Sequence, residues 1–180
     1  MTAAALPSVS GFMNTEIETP ASRLTTTQVG AIAESLVACQ LMLASDGRLS
    51  TFTPVADDDG TDLVVVDKTT GRQLRIQIKS WRASEAEPPG SVQFDVRRKT
   101  FAPHADNFIL AVVLDPNSAS IWRAWLIPTE ELESVANSYP DKFAIAASPA
   151  ETSKDKYSPY RCTSMRTVAD RLLEHLVTAY

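Results

Sequence analysis

Residues 60–80 read GTDLVVVDKTTGRQLRIQIKS and carry the clearest structural signal in the chain. The β-branched run at 64–66 predicts a buried strand, and the alternation of apolar and polar residues over 74–79 predicts a second strand with one apolar face. Between them the short turn at 68–71 ends in Gly71, which can adopt the positive φ of a tight turn. The stretch therefore predicts a β-hairpin.

Three polar residues of this hairpin stand out from their apolar surroundings. Pairing across the turn places opposite one another residues whose numbers sum to about 139, so Asp62 is expected to face Gln77 or its neighbour. Lys79 shares a face with Gln77, because side chains two positions apart in a strand point the same way. Glu34 is a comparable residue in an apolar segment, 28–45, that has the pattern of a helix. Oxygen ligands from two strands and a helix suit a hard divalent cation such as Mg²⁺.

These residues and their spacing resemble the motif of the PD-(D/E)xK nuclease superfamily, which has the restriction-endonuclease-like fold. The matching positions are Glu34 in the first predicted helix, Asp62 ahead of the buried strand, and Gln77-Ile78-Lys79 in the strand paired with it. Most of the superfamily has Asp or Glu at the position of Gln77. With Gln there, the motif is similar to that of the branch that includes the group I intron homing endonucleases. The resemblance runs from residue 28 to about 130.

The resemblance implies a role for each of these residues. Asp62 would be the principal metal ligand, Gln77 would coordinate through its side-chain oxygen, and the Ile78 carbonyl would complete the protein's share. Glu34 would bind the metal directly or through water, and Lys79 would be the catalytic lysine. The cofactor would be Mg²⁺ or Mn²⁺. Because Gln77 carries no negative charge, such a site holds a cation less tightly than one with two acids.

Each of these residues also has an ordinary structural explanation. Taken alone, Glu34 is consistent with a solvated helix residue, and Asp62 with a cap at the start of a strand. Gln77 and Lys79 are consistent with the solvent-facing side of an edge strand. The residues alone leave these alternatives open, and it is the combination of all four that favours a site.

The rest of the chain predicts an α/β (α+β) fold, by resemblance a restriction-endonuclease-like core with a central mixed β-sheet flanked by helices. Residues 1–24 are expected to form a flexible arm, and 25–180 a single domain. In the helix at 28–45, the expected apolar stripe is Val29, Ile32, Leu36 and Leu43. Further strands are predicted at 92–96, 108–114 and 121–127, a short helix from residue 128, an irregular polar segment at 137–161, and a last helix at 164–178.

The distribution of charge matters more than its total. The 180 residues carry a net charge of −5, which argues against a nucleic-acid partner, yet residues 71–104 hold seven basic and three acidic side chains. Within this basic segment the candidate nucleic-acid contacts are Arg82, Arg97, Arg98 and Lys99. A solvated surface is an equally good explanation of these four cations.

Together these observations predict a metal-dependent endonuclease that cuts DNA, with structured DNA or RNA as alternative substrates, acting as a dimer so that two sites address two strands. The alternative is a catalytically inactive nuclease-fold module that binds nucleic acid or assists assembly; a third interpretation is an unrelated interaction domain. No run of about 20 apolar residues is evident and neither cysteine lies in a C-x-x-C pair, so we expect no membrane partner and a cytoplasmic location.

Overall fold

The computed structural model describes residues 24–56, 59–83, 90–115 and 117–178. Three helices and nine strands lie in these ranges, with short 3-10 helices at Arg98–Thr100 and Ser158–Tyr160. The elements in chain order are α1 (Thr26–Ala44), β1 (Leu49–Phe52), β2 (Leu63–Asp67), β3 (Gln73–Arg82), β4 (Val92–Arg97), β5 (Asn107–Leu114), β6 (Ile121–Pro128), α2 (Thr129–Val135), β7 (Asn137–Ser138), β8 (Lys142–Ala147), β9 (Arg161–Cys162) and α3 (Met165–Thr178).

A six-stranded sheet in the order β1-β2-β3-β5-β6-β9 forms the centre of the fold. The hairpin predicted from residues 60–80 is its β2–β3 pair, and the register places Leu63 opposite Ile76 and Val64 opposite Arg75, as the sum of 139 requires. Strand β3 runs parallel to β5, whereas the other neighbours in this sheet are antiparallel. The central sheet is therefore mixed, as expected.

Each face of the central sheet covers its own apolar core. On one face, α1 and α3 pack on residues such as Leu74, Ile76 and Ile78. On the other face, the small sheet β4-β8-β7 and helix α2 enclose a second core around the fully buried Trp125. The predicted fold class, a mixed α+β core with a central mixed sheet and flanking helices, is confirmed.

The buried face of α1 agrees only in part with the predicted one. Thr25 caps the helix in a reciprocal capping box with Gln28, as a Thr-rich start favours. The residues that enter the core are Ala33, Val37 and Leu41. Of the expected stripe, Val29 and Leu36 pack partly buried against this core, whereas Ile32 and Leu43 lie 37% and 76% exposed. Because α1 is apolar on nearly every side, its sequence does not mark which side meets the sheet.

The segment 137–161, expected to be irregular, contains strands β7 and β8. Residues 143–147 of β8 are mostly small or apolar, and the strand is buried because it pairs with β4 along its whole length. Its alanine-rich sequence has low β propensity, so the tertiary pairing decides the conformation.

Two further expectations meet the structure only in part. The predicted arm lies outside the described residues except for Leu24, and the division into an arm and one domain stays a prediction. Within the described residues, α1 is long and apolar enough by length and composition to cross a membrane. The same test is passed by a core helix, and Ala33, Val37 and Leu41 of α1 are packed on the central sheet.

Candidate active site

Asp62 occupies the point where one strand of the hairpin ends and the other continues. Strand β2 begins at Leu63, opposite Ile76, while β3 extends to Arg82. The backbone N–H of Asp62 donates to the Ile76 carbonyl at 3.0 Å, and the Ile78 N–H donates to Asp62 Oδ2 at 2.6 Å. The carboxylate thus takes the place of the missing strand partner, and this short charge-assisted bond holds it beside residues 76–78.

Gln77 is held against the turn that precedes Asp62. Gly60 has φ +75°, and a Cβ built there would lie 2.8 Å from Gln77 Nε2 and 3.2 Å from Thr100 Oγ1. Only glycine adopts this φ readily and also leaves room for the amide. The half-buried Gln77 side chain is therefore packed between the 59–61 turn and the 3-10 helix that follows β4.

Lys79 lies two residues beyond Gln77 on the same face of β3 and is half-buried. An acid that the sequence did not mark lies near it on β4. Burial raises the pKa of Asp95, but hydrogen bonds from Lys142 and Gln93 outweigh it and, together with the charge of Lys79, hold that pKa below its usual value. Lys79 thus shares the face of β3 that carries Gln77 and lies close enough to Asp95 of β4 to lower its pKa.

Glu34 approaches from the other layer. It is half-buried and directly follows the fully buried Ala33 on α1, which packs on the face of β3 that carries Ile76 and Ile78. Gln77 and Lys79 point to the opposite face. A contact between Glu34 and these side chains can form only where β2 has ended, beside Asp62. The structure directly joins Asp62 to Ile78, and the roles of all five residues stay predictions.

The chemistry of this donor set fits a hard divalent cation. Two carboxylates, an amide oxygen and a backbone carbonyl are all oxygen donors, the type that Mg²⁺ and Mn²⁺ prefer. Within the described ranges, no three His, Cys, Asp or Glu side chains are arranged to hold a metal ion. A site here would therefore depend on the amide of Gln77 and on the Ile78 carbonyl.

The four candidate nucleic-acid contacts are in different environments. Arg98 Nε donates to the Tyr139 carbonyl at 2.8 Å, and its guanidinium lies 3.9 Å from the centre of the Phe143 ring. Arg98 therefore fastens the 3-10 helix to the small sheet. Arg97 and Lys99 are exposed, and Arg82 is half-buried at the end of β3.

One cluster of titratable side chains, around Asp106, joins residues that are distant in sequence. His104 and His175 are far apart in sequence, yet both lie beside Asp106, with Nδ1 of His104 at 3.9 Å and Nε2 of His175 at 3.7 Å from its carboxylate oxygens. The loop before β5 and the end of α3 meet here, a juxtaposition that no local pattern could indicate. The approach of Thr100 to Gly60 is equally non-local.

Comparisons with known proteins place this geometry in a structural context. No family profile matches the chain, and no curated protein matches it in sequence. Among solved structures, the chain is similar to "The structure of a bacterial homing endonuclease: I-Ssp6803I", with a TM-score of 0.54 and 20% sequence identity over 86% of this chain and 96% of that chain. The chain thus has a homing-endonuclease-like fold, with Asp62 and Gln77-Ile78-Lys79 at the open end of its central hairpin.

Proposed function

We propose that this protein is a metal-dependent endonuclease of PD-(D/E)xK type that hydrolyses phosphodiester bonds in DNA. The observation that carries the proposal is the 2.6 Å bond from the Ile78 N–H to the Asp62 carboxylate, which holds the acid against the Gln77-Ile78-Lys79 tripeptide. This arrangement occurs in a fold similar to that of a homing endonuclease. The alternative, in which the Asp62 carboxylate only caps a strand, leaves Gln77 and Lys79 on their shared face of β3 without a role.

Each residue of the site has a distinct task in this proposal. Asp62, Gln77 Oε1, the Ile78 carbonyl and Glu34 would hold Mg²⁺ or Mn²⁺, which supplies Lewis-acid activation of water and of the phosphate. As a neutral amine, Lys79 would hold the attacking water and accept its proton, and the ammonium that results would neutralise the charge that develops on the phosphoryl oxygens. Phosphoryl transfer of this kind requires positioning and charge stabilisation, so no protein nucleophile is needed.

Cleavage of supercoiled plasmid with Mg²⁺ or Mn²⁺ tests the proposal. Asp62→Asn and Lys79→Met are expected to lower the rate by about 10²-fold or more, since proton transfer alone contributes 10²–10⁴-fold. The matched controls are Asp46→Asn and Lys154→Met, which change the same groups at exposed positions and should cleave like the wild type. Metal affinity, measured by titration calorimetry, should fall in Asp62→Asn alone among the aspartate variants. Equal activity in all five proteins would overturn the proposal.

We also propose that the protein acts as a dimer, because the two-fold symmetry of a dimer directs two active sites at the two strands of a duplex in one binding event. Light scattering of the protein alone and with a duplex should give twice the chain mass of 19.6 kDa in at least one of these states. A monomer in both states that still produces double-strand breaks would contradict this part.

The second candidate function is a nuclease-fold module that binds nucleic acid without cutting it. It is favoured by the uncharged Gln77, which weakens cation binding, and by the net charge of −5. The same plasmid assay separates the two, since this function predicts binding that is unaffected by Lys79→Met and no turnover with either metal.

A further inference from the structure

We propose that Arg75 binds a backbone phosphate of the nucleic acid one or two nucleotides from the bond that is cut. This inference rests on the proposed function and assigns a contact that the basic segment of the sequence did not single out. It starts from the position of Arg75 on β3, where it shares one face with Gln77 and Lys79.

The spacing of this row suits a nucleic-acid backbone. Side chains two residues apart in a strand are separated by about 6.6–6.8 Å, so Arg75, Gln77 and Lys79 form a line of about 13 Å. One strand of a duplex carries a phosphate every 3.4 Å or so of helix axis. A phosphate held at Gln77 therefore leaves a neighbour within reach of Arg75.

The surface around Arg75 is open, whereas Trp81 further along the same face packs against the second core. Three adjoining hollows meet at this side chain: one reaches Gln77 and Thr100, one runs toward His104, and one lies against Pro54. The small sheet covers the face further along β3, and it leaves this part uncovered. The hollow shared with Gln77 connects Arg75 to the candidate active site without an intervening element.

The guanidinium of Arg75 can exchange its present partner for a phosphate. Arg75 Nη1 lies 3.6 Å from Asp59 Oδ2, and the two side chains are 55% and 54% exposed, so the pair is loose and well solvated. Such exposed pairs contribute little, whereas guanidinium and phosphate can form two parallel charge-assisted hydrogen bonds. By contrast, Arg48 donates two 2.9 Å hydrogen bonds to the buried Asp67 carboxylate, so its guanidinium stabilises the fold and is not available to a phosphate.

Binding of a labelled duplex, followed by fluorescence anisotropy with Ca²⁺ or EDTA over a range of salt concentrations, tests the inference. Arg75→Gln is expected to weaken binding by about tenfold or more and to reduce the salt slope by about 0.9, the share of one phosphate contact. Arg75→Lys keeps the charge and should retain the slope. The matched control is Arg166→Gln, which removes an equally exposed cation paired with Asp46 at the α1–α3 side. It should bind like the wild type.

A second measurement locates the contact and checks folding. Ethylation interference should lose one phosphate signal in Arg75→Gln, within two nucleotides of the cut, while thermal unfolding stays within a few degrees of the wild type. Equal affinity and slope in Arg75→Gln and Arg166→Gln would overturn this inference and leave the nuclease proposal standing. If Arg75→Gln binds more weakly and the wild type shows no cleavage, the result would support the inference about Arg75 and contradict the nuclease proposal. A wild type that binds no nucleic acid would overturn both.

Discussion

Replacing Gly60 by alanine tests whether the position of the Gln77 amide matters for the proposed activity. At φ +75°, the new Cβ would lie 2.8 Å from Gln77 Nε2 and 3.2 Å from Thr100 Oγ1. Gln77 Nε2 is the end of a flexible side chain, so it is the amide, and not the backbone, that is expected to move. Gly60→Ala should therefore affect the site much more than the fold.

The expected magnitudes follow from two separate costs. Alanine at positive φ destabilises the folded state by about 1–2 kcal/mol. Because alanine also reduces the conformational freedom of the unfolded chain, about 0.4–1 kcal/mol of this loss is offset. Gly47 and Gly71 have φ +76° and +74° with nothing within 4 Å of an added Cβ, so alanine there carries this cost alone. At Gly60 the shifted Gln77 rotamer adds about 0.5–1.5 kcal/mol. A ligand displaced by about 1 Å costs about 10²-fold in rate.

Urea denaturation and plasmid cleavage together separate the two costs. Gly47→Ala and Gly71→Ala should lose about 1 kcal/mol of unfolding free energy and keep their activity. Gly60→Ala should lose about 2 kcal/mol and most of its cleavage rate, with weaker metal binding. If Gly60→Ala cuts as fast as Gly71→Ala, then the amide of Gln77 has no part in the reaction, and the argument from its packing is wrong.

Three further predictions concern the fold around the site. Asp67→Asn should lower the unfolding free energy at pH 7 by about 1–3 kcal/mol, because hydrogen bonds from Arg48 hold the pKa of buried Asp67 well below its usual value. That contribution is present above the unfolded pKa of about 3.9 and is lost as the pH falls below it, so acid denaturation monitored by circular dichroism should be less steep in the variant. Exposed Cys39 should react with a thiol reagent in the native protein, whereas buried Cys162, whose pKa burial raises, should react only after denaturation; two equally fast thiols would contradict this. Arg98→Gln should lower the unfolding free energy by about 1 kcal/mol through loss of its bonds to the small sheet, and an unchanged urea midpoint would show that those bonds are not stabilising.

The sequence by itself determined the hairpin and its register. A turn ending in Gly71 and two strands with distinct patterns allow one pairing in which the apolar residues share a face, so Leu63 lies opposite Ile76 and Asp62 lies beside residues 76–78. Local patterns also predicted most of the strands. These features depend on residues that are close in sequence, and the fold class followed from their order together with the resemblance at the motif.

Only the tertiary structure decided the features that depend on distant segments. Because α1 is apolar on nearly every side, its sequence alone does not indicate the buried face, and packing against the sheet buries Ala33, Val37 and Leu41. Strand β8 exists because β4 pairs with it, and the hollow around Arg75 exists because the small sheet stops short of it. A side chain's partner across the fold is set by long-range packing, which has no signature in neighbouring residues, and this is why the open surface beside the candidate site appears only once the layers are assembled.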